Sequence, residues 1–194
     1  MGICLIAYSV SASHLDAILA EPALVWRVLE AEDDSSYLEQ LAADNRSSLL
    51  QRLLGKAKPP RAPSTLGLAD PRRRELDVDK AWDGLRHCIA LCAPGTPDFF
   101  QGDGKIGSFE VGYGPALYVK PDTIAKCAAA IESLDEDTLL KAFRSADFKG
   151  VYLEALWQRQ DEEAESYLLE NYREFRPFIQ HCAAHRQAAI LQYT

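Results

Sequence analysis

The chain opens and closes on short apolar runs. Residues 3–10 read Ile-Cys-Leu-Ile-Ala-Tyr-Ser-Val and stop among Ser9, Ser11 and Ser13; residues 188–193 read Ala-Ala-Ile-Leu-Gln-Tyr. Apolar runs this short, with β-branched members and bounded by turn formers, suit buried strands. Neither they nor any other run approaches the roughly 18–20 residues of a membrane helix. A third strand is predicted over 113–119. Strands at both ends and in the middle, with helices between, predict an α/β (α+β) fold, a small mixed sheet packed by several helices. A length of 194 residues suits a single domain over 1–194.

The helices follow from spacing and caps. Ser13 is a plausible N-cap for a helix carrying Leu15, Ile18 and Leu19. Pro22 can start a second, with Leu24, Val25, Val28 and Leu29 at helical intervals. A third uses Leu38, Leu41, Leu49, Leu50, Leu53 and Leu54, with a break expected near Asp44 and Asn45. From Asp77, the residues Val78, Trp82, Leu85, Ile89 and Cys92 recur at intervals of three and four, so Trp82 is expected in the core. Pro121 or Asp122 opens another helix and Asp135 caps the next. Residues 151–185 read as largely helical, complicated by Pro177 and the acidic run 161–165. Residues 55–74 hold four prolines and six basic residues against the single acid Asp70, which predicts a solvated basic loop.

Charge and cysteines narrow the setting. Twenty-nine acids against 21 bases give a net charge of −8. That balance argues against binding a nucleic-acid backbone and against an anionic membrane surface. The five cysteines, Cys4, Cys88, Cys92, Cys127 and Cys182, are odd in number and scattered, a pattern of reduced thiols in the cytoplasm. The N-terminal apolar run has no Lys or Arg before Arg27 and no small-residue cleavage site, so it does not read as a secretion signal. Ile6 stands where a myristoylation signal needs Ser or Thr.

Motifs that carry chemistry are few. Residues 102–107 match G-x-G-x-x-G, but the strand before and the helix after that a phosphate cradle requires are missing. The same stretch imitates half of a calcium loop, with Phe99 and Gln101 where the leading carboxylates belong. Cys88 with Cys92, and His181 with His185, each stand one turn apart. Zinc wants four such ligands in paired short spacings, so no metal and no cofactor are expected. Asp83 and His87 stand one turn apart with Lys80 nearby, the spacing of a carboxylate that orients a general base. Tyr113 lies between Gly112 and Gly114, which let a ligand or backbone approach closely.

Several segments together resemble the bacterial YfbM-like family, a domain of unknown function. They are Met1-Gly2 leading into the first strand, Leu76-Asp-Val-Asp-Lys-Ala-Trp-Asp-Gly-Leu85 with His87, and Gly112-Tyr-Gly-Pro-Ala-Leu-Tyr118 followed by Lys120-Pro121. A late aromatic helix with Tyr172, Phe175 and Phe178 running into the terminal strand completes the set. The resemblance implies a compact α/β fold and a soluble bacterial protein. It brings no reaction and no catalytic residues.

Two functions of different class fit these readings. The first is a non-catalytic binding protein for a basic partner such as a toxin domain, an immunity protein in effect. Its acidic runs, with Glu32, Asp33 and Asp34 foremost, would steer association. The second is a small enzyme or ligand-binding module using Trp82, Asp83, His87 and Tyr113.

Overall fold

The computed structural model describes residues 2–30, 33–53 and 61–194, and the side chains of 47–53 lie outside that description. Its centre is one five-stranded sheet. In chain order the strands are β1 (Leu5–Ser11), β2 (Glu75–Asp77), β3 (Gly104–Lys105), β4 (Leu117–Val119) and β5 (Gln187–Tyr193). In space they lie β2-β1-β5-β4-β3, so the two terminal runs pair with each other at the centre. Seven residue pairs join β1 to β5, from Leu5 opposite Tyr193 to Ser11 opposite Gln187. The expected fold class stands, but every pairing is antiparallel, where a mixed sheet was anticipated. Residue patterns along a strand do not fix its direction; the helical connections that return the chain do.

Helices cover both faces of the sheet, which is why β1 and β5 read as nearly continuous apolar runs. On one face Tyr8, Val10, Ala188 and Ile190 pack against the helices α1 (Ala12–Ala20), α2 (Trp26–Leu29) and α3 (Ser35–Leu53). On the other, Leu5, Ala7, Ala189 and Leu191 join the larger core. That core is built by α4 (Trp82–Cys92), α5 (Pro121–Ile131), α6 (Glu136–Ser145), α7 (Glu154–Trp157) and α8 (Glu162–Ala184). Strand alternation sends successive residues to opposite cores.

Local chemistry sets the boundaries. Ser11, not Ser13, caps α1, its hydroxyl accepting from the His14 amide at 3.1 Å. Residues Pro22–Val25 form a 3-10 turn before α2. No break interrupts α3 at Asp44 and Asn45, because the Asn45 side chain bonds the backbone of Arg61 instead of competing with its own helix. Leu54 lies outside the described residues. The helix expected from Asp77 starts at Trp82, preceded by β2 and a 3-10 turn at Asp79–Ala81. The middle strand shrinks to Leu117–Val119, because Gly112 and Gly114 hold 112–115 in a loop. Asp135 caps α6 and Asp161 caps α8. Pro177 sits on the exposed side of α8, where the carbonyl it leaves unbonded can meet water.

The described part of the basic loop, 61–74, is tied down. Arg61 donates to the Ala20 carbonyl, and Arg73 donates to that of Val28 while lying over the Tyr8 ring. The Arg74 backbone exchanges hydrogen bonds with Ser9, and Leu68 is buried. The Arg61 and Arg73 side chains are thereby spent on the fold.

Candidate functional site

The N-terminal segment, the turn at Asp79–Ala81 and the first turns of α8 meet at one place. Trp82 donates its indole N–H to the Ile3 carbonyl at 3.0 Å, and the Ile3 amide donates to the Tyr152 hydroxyl at 2.6 Å. The Trp82 ring stacks on Tyr152 and meets Tyr193 edge-on, with centroids 5.6 and 5.1 Å apart. The indole is therefore partly buried, packed against the larger core that the helical stripe predicted while also covering Ile3. A Cβ at Gly2 would stand 2.5 Å from the Lys80 stem, so that flexible side chain would have to shift to admit one.

Asp79 organises the polar part. Its backbone has a left-handed φ of +43°, a conformation that costs a non-glycine residue free energy and persists where the surroundings enforce it. What enforces it is its carboxylate. Oδ1 accepts from the Cys4 thiol at 3.1 Å and Oδ2 from the Tyr167 hydroxyl at 2.7 Å, which in turn accepts from the Lys80 amide. Partial burial opposes ionisation, but the bonds from Tyr167 and Cys4 hold the Asp79 carboxyl below its ordinary range. The same contact, followed by burial, raises the Cys4 thiol, and burial followed by Asp79 raises the Tyr167 phenol. Cys4 thus keeps its proton at neutral pH and is a poor nucleophile.

An open cleft of about 630 Å³ lies over this group. Asp79, Lys80, Tyr167, Glu163 and Glu170 supply its polar lining, and Leu153 and Leu156 its apolar one. Leu153 is also left-handed, with φ +61°. Glu163 shares Arg159 with Asp161, and Glu170 accepts from Ser166. Lys80 makes no hydrogen bond or ion pair through its ammonium among the described residues. Glu163, Ser166, Tyr167 and Glu170 fall on one face of α8 by their spacing of three and four.

The expected Asp83–His87 pair does not form. Asp83 is buried, and its oxygens accept from Arg86 Nε and the Tyr152 amide, both at 2.7 Å. The Arg86 guanidinium, three residues away, takes the carboxylate oxygen with a charge-assisted bond. His87 instead lies against Phe148, its Nε2 buried with no partner among the described residues. Tyr113 is exposed and stands in the glycine loop, whose backbone bonds the Tyr193 carbonyl.

The remaining expectations fall as follows. Asp34 forms a two-pronged ion pair with Arg27, and Asp33 accepts from the amide and hydroxyl of Ser35. Glu32 lies outside the described residues. Residues 102–107 enter the strand edge at β3, and the Asp103 carboxylate accepts from the Lys120 amide and the Thr123 hydroxyl. Cys88 and Cys182 are core residues, His181 bonds the Arg72 carbonyl, and no three potential metal ligands gather among the described residues. All five cysteines are free. No described helix is long and apolar enough to cross a membrane.

Sequence reading did not find Cys4, Asp79, Tyr152 or Tyr167. The signal for Asp79 was its place beside Lys80 and Trp82; Tyr152, in the turn before α7, and Tyr167, on α8, gave none. No curated protein matches the chain in sequence. The family model described as a domain of unknown function (DUF1877) matches residues 1–192. Among solved structures the chain is similar to a protein of unknown function, YfbM from Escherichia coli, at 14% identity and a TM-score of 0.51. That match covers 98% of this chain and 99% of the other, and at this identity it shows the fold.

Proposed function

The chain belongs to the DUF1877 family, and from that premise we propose that it is a non-catalytic binding protein whose cleft over Asp79 receives a positively charged group of a partner protein. One observation carries the reading. Asp79, Glu163 and Glu170 line a single open cleft with Lys80 and two leucines, and ligand clefts typically occupy roughly 300–1,000 Å³. A lysine or arginine side chain fits that lining, its stem on Leu153 and Leu156 and its charge among the carboxylates. The site moves here from 30–34 because Asp33 and Asp34 have both carboxylate oxygens bonded, whereas Glu163 and Glu170 each keep one oxygen with no donor among the described residues. The protonated Cys4 thiol and the occupied Asp83 carboxylate support binding over catalysis. In its most specific form the partner is a toxin domain that the chain neutralises in the cytoplasm, a setting that the five free thiols support.

The test is affinity capture from the native host at low and high salt, with wild type and a Glu163→Gln/Glu170→Gln variant. A basic protein retained at low salt, released by salt and lost from the folded variant is expected. Retention of an acidic partner, or equal retention by the variant, overturns the reading.

A further inference from the structure

The end of α8 carries two histidines one turn apart. His181 stands in the last turn and His185 at the C-cap, with ring centroids 4.3 Å apart and planes tilted by 35°. His185 is exposed, and His181 is partly buried beside the basic segment 72–74. Cys182, between them in sequence, is buried in the larger core and takes no part.

Each ring has one nitrogen committed. His181 Nε2 lies 2.8 Å from the Arg72 carbonyl, and His185 Nδ1 lies 2.9 Å from the His181 carbonyl. A carbonyl oxygen only accepts, so each of these nitrogens carries a proton and donates it. In the uncharged rings that fixes the tautomers: His181 keeps a bare lone pair on Nδ1, and His185 keeps one on Nε2. No described residue donates to either lone pair. The other two histidines differ, because an unpartnered nitrogen of each, His14 Nδ1 and His87 Nε2, is shut away from solvent.

Metal-ligating histidines are braced in the same way. The nitrogen that does not hold the metal donates to a backbone carbonyl or carboxylate, which fixes the ring and makes its lone pair more basic. Here both rings are braced by backbone carbonyls, one of them 109 residues away in sequence. The last turn of a helix also favours a cation, since its unpaired carbonyls concentrate partial negative charge there. Against this stand Arg72 and Arg186, whose guanidiniums make no ion pair among the described residues. Both are exposed, so their repulsion is screened beyond about 8 Å at physiological salt. They lower the affinity and make a bound ion exchangeable.

We propose that His181 Nδ1 and His185 Nε2 together bind one divalent transition ion of the zinc or copper(II) type. Imidazole nitrogen suits these ions, whereas magnesium and calcium take oxygen ligands. No cluster of three potential ligands forms among the described residues, so water completes the coordination. This open two-imidazole site is a different object from a closed four-ligand structural zinc. It lies fourteen residues along α8 from Tyr167, about 21 Å at 1.5 Å per residue, and does not depend on the function proposed for the cleft over Asp79.

The test uses the full chain, isotope-labelled and free of chelator, at mildly alkaline pH, with zinc and magnesium as probes. Long-range proton–nitrogen correlation spectra should first show His181 protonated at Nε2 and His185 at Nδ1. Zinc should then shift His181 Nδ1 and His185 Nε2 together and saturate near one equivalent. His14 and His87 should stay unmoved, and magnesium should do nothing. His185 stands on an exposed helix end, so His185→Ala should fold. It should bind zinc at least about tenfold more weakly, because losing even an outer partner of a ligand costs about 10–100-fold. The opposite tautomers, no saturable shift, a shift on one ring alone or an equal response to magnesium overturns the proposal. So does wild-type zinc affinity in the folded His185→Ala protein.

Discussion

Replacing Gly84 by alanine sets two effects against each other. Gly84 lies inside α4, where alanine is intrinsically favoured over glycine by about 1 kcal/mol. Its Cβ, however, would stand 2.4 Å from Cε2 and 2.6 Å from Cζ2 of Trp157. That indole cannot yield. It is fully buried, donates its N–H to the Tyr152 carbonyl at 2.7 Å, and stacks on Tyr167 at 5.7 Å. Overpacking of a tight core costs about 1–3 kcal/mol and occasionally more. A contact this short against a pinned ring belongs at the upper end, so the clash outweighs propensity. Gly84→Ala should destabilise the protein by about 1–2 kcal/mol, lowering Tm by about 2–4 °C per kcal/mol. Guanidinium unfolding followed by Trp fluorescence and circular dichroism measures it. Combined with Trp157→Phe, which vacates the space the methyl needs, the two changes should cost less together than the sum of each alone. A Gly84→Ala protein as stable as wild type, or more so, would refute the reasoning, since propensity alone would then rule the site.

Trp82→Ala should cost about 2–3 kcal/mol by chemical denaturation, below the roughly 3–5 kcal/mol of a fully buried aromatic, because the ring is not fully buried; a loss above that band would mean the terminus unfolds with it. The Asp79 carboxyl is held below its ordinary range by Tyr167 and Cys4 against the opposing effect of burial. It therefore adds stability above the ordinary carboxylate range, and that stability is lost as pH falls through the lowered value. Asp33, Asp135, Glu136, Asp161 and Glu165 are lowered too and share this acid limb. Asp79→Asn, a residue that tolerates left-handed backbone, should make the fall in Tm on acidification shallower; an unchanged slope would show the carboxylate is idle. Burial raises Cys88 and Cys182 to about 12 and Cys127 to about 11. Iodoacetamide at neutral pH should thus label native protein slowly and only at Cys4 and Cys92, with all five labelled after unfolding; peptide mass mapping that finds early labelling at Cys88 or Cys182 contradicts the packing.

What could be read in advance follows what is local. The terminal strands were legible because both of their faces are buried, so composition alone marks them. Asp135 as a cap needed only its neighbours. Strand direction was not legible, since the connections that fix it run through the helices α1 to α8. Asp44 and Asn45 looked like a helix break because an Asn side chain can compete with its own backbone; that it instead bonds Arg61, sixteen residues away, is not written locally. The same blindness produced the Asp83–His87 pair. Spacing put the two on one face, but Arg86 at i+3 and the Tyr152 amide, 69 residues on, had prior claim to the carboxylate. The cluster at Asp79 draws on residues 4, 79 and 167, so no window of sequence contains it.

Asp83 proves more informative in its real role than as half of a base. It is a buried carboxylate, and such a group persists only when its oxygens are bonded. One oxygen fixes Arg86, and the other fixes the Tyr152 amide. Tyr152 in turn holds Ile3 through its hydroxyl and stacks on Trp82, and the next residue, Leu153, is the left-handed position lining the cleft over Asp79. A single side chain thereby braces the cleft over Asp79 from inside α4. Its neutral isostere would keep the shape while weakening the charge-assisted bond to Arg86. The contacts describe one rigid brace, so the geometry argues that the cleft over Asp79 is preorganised from inside α4.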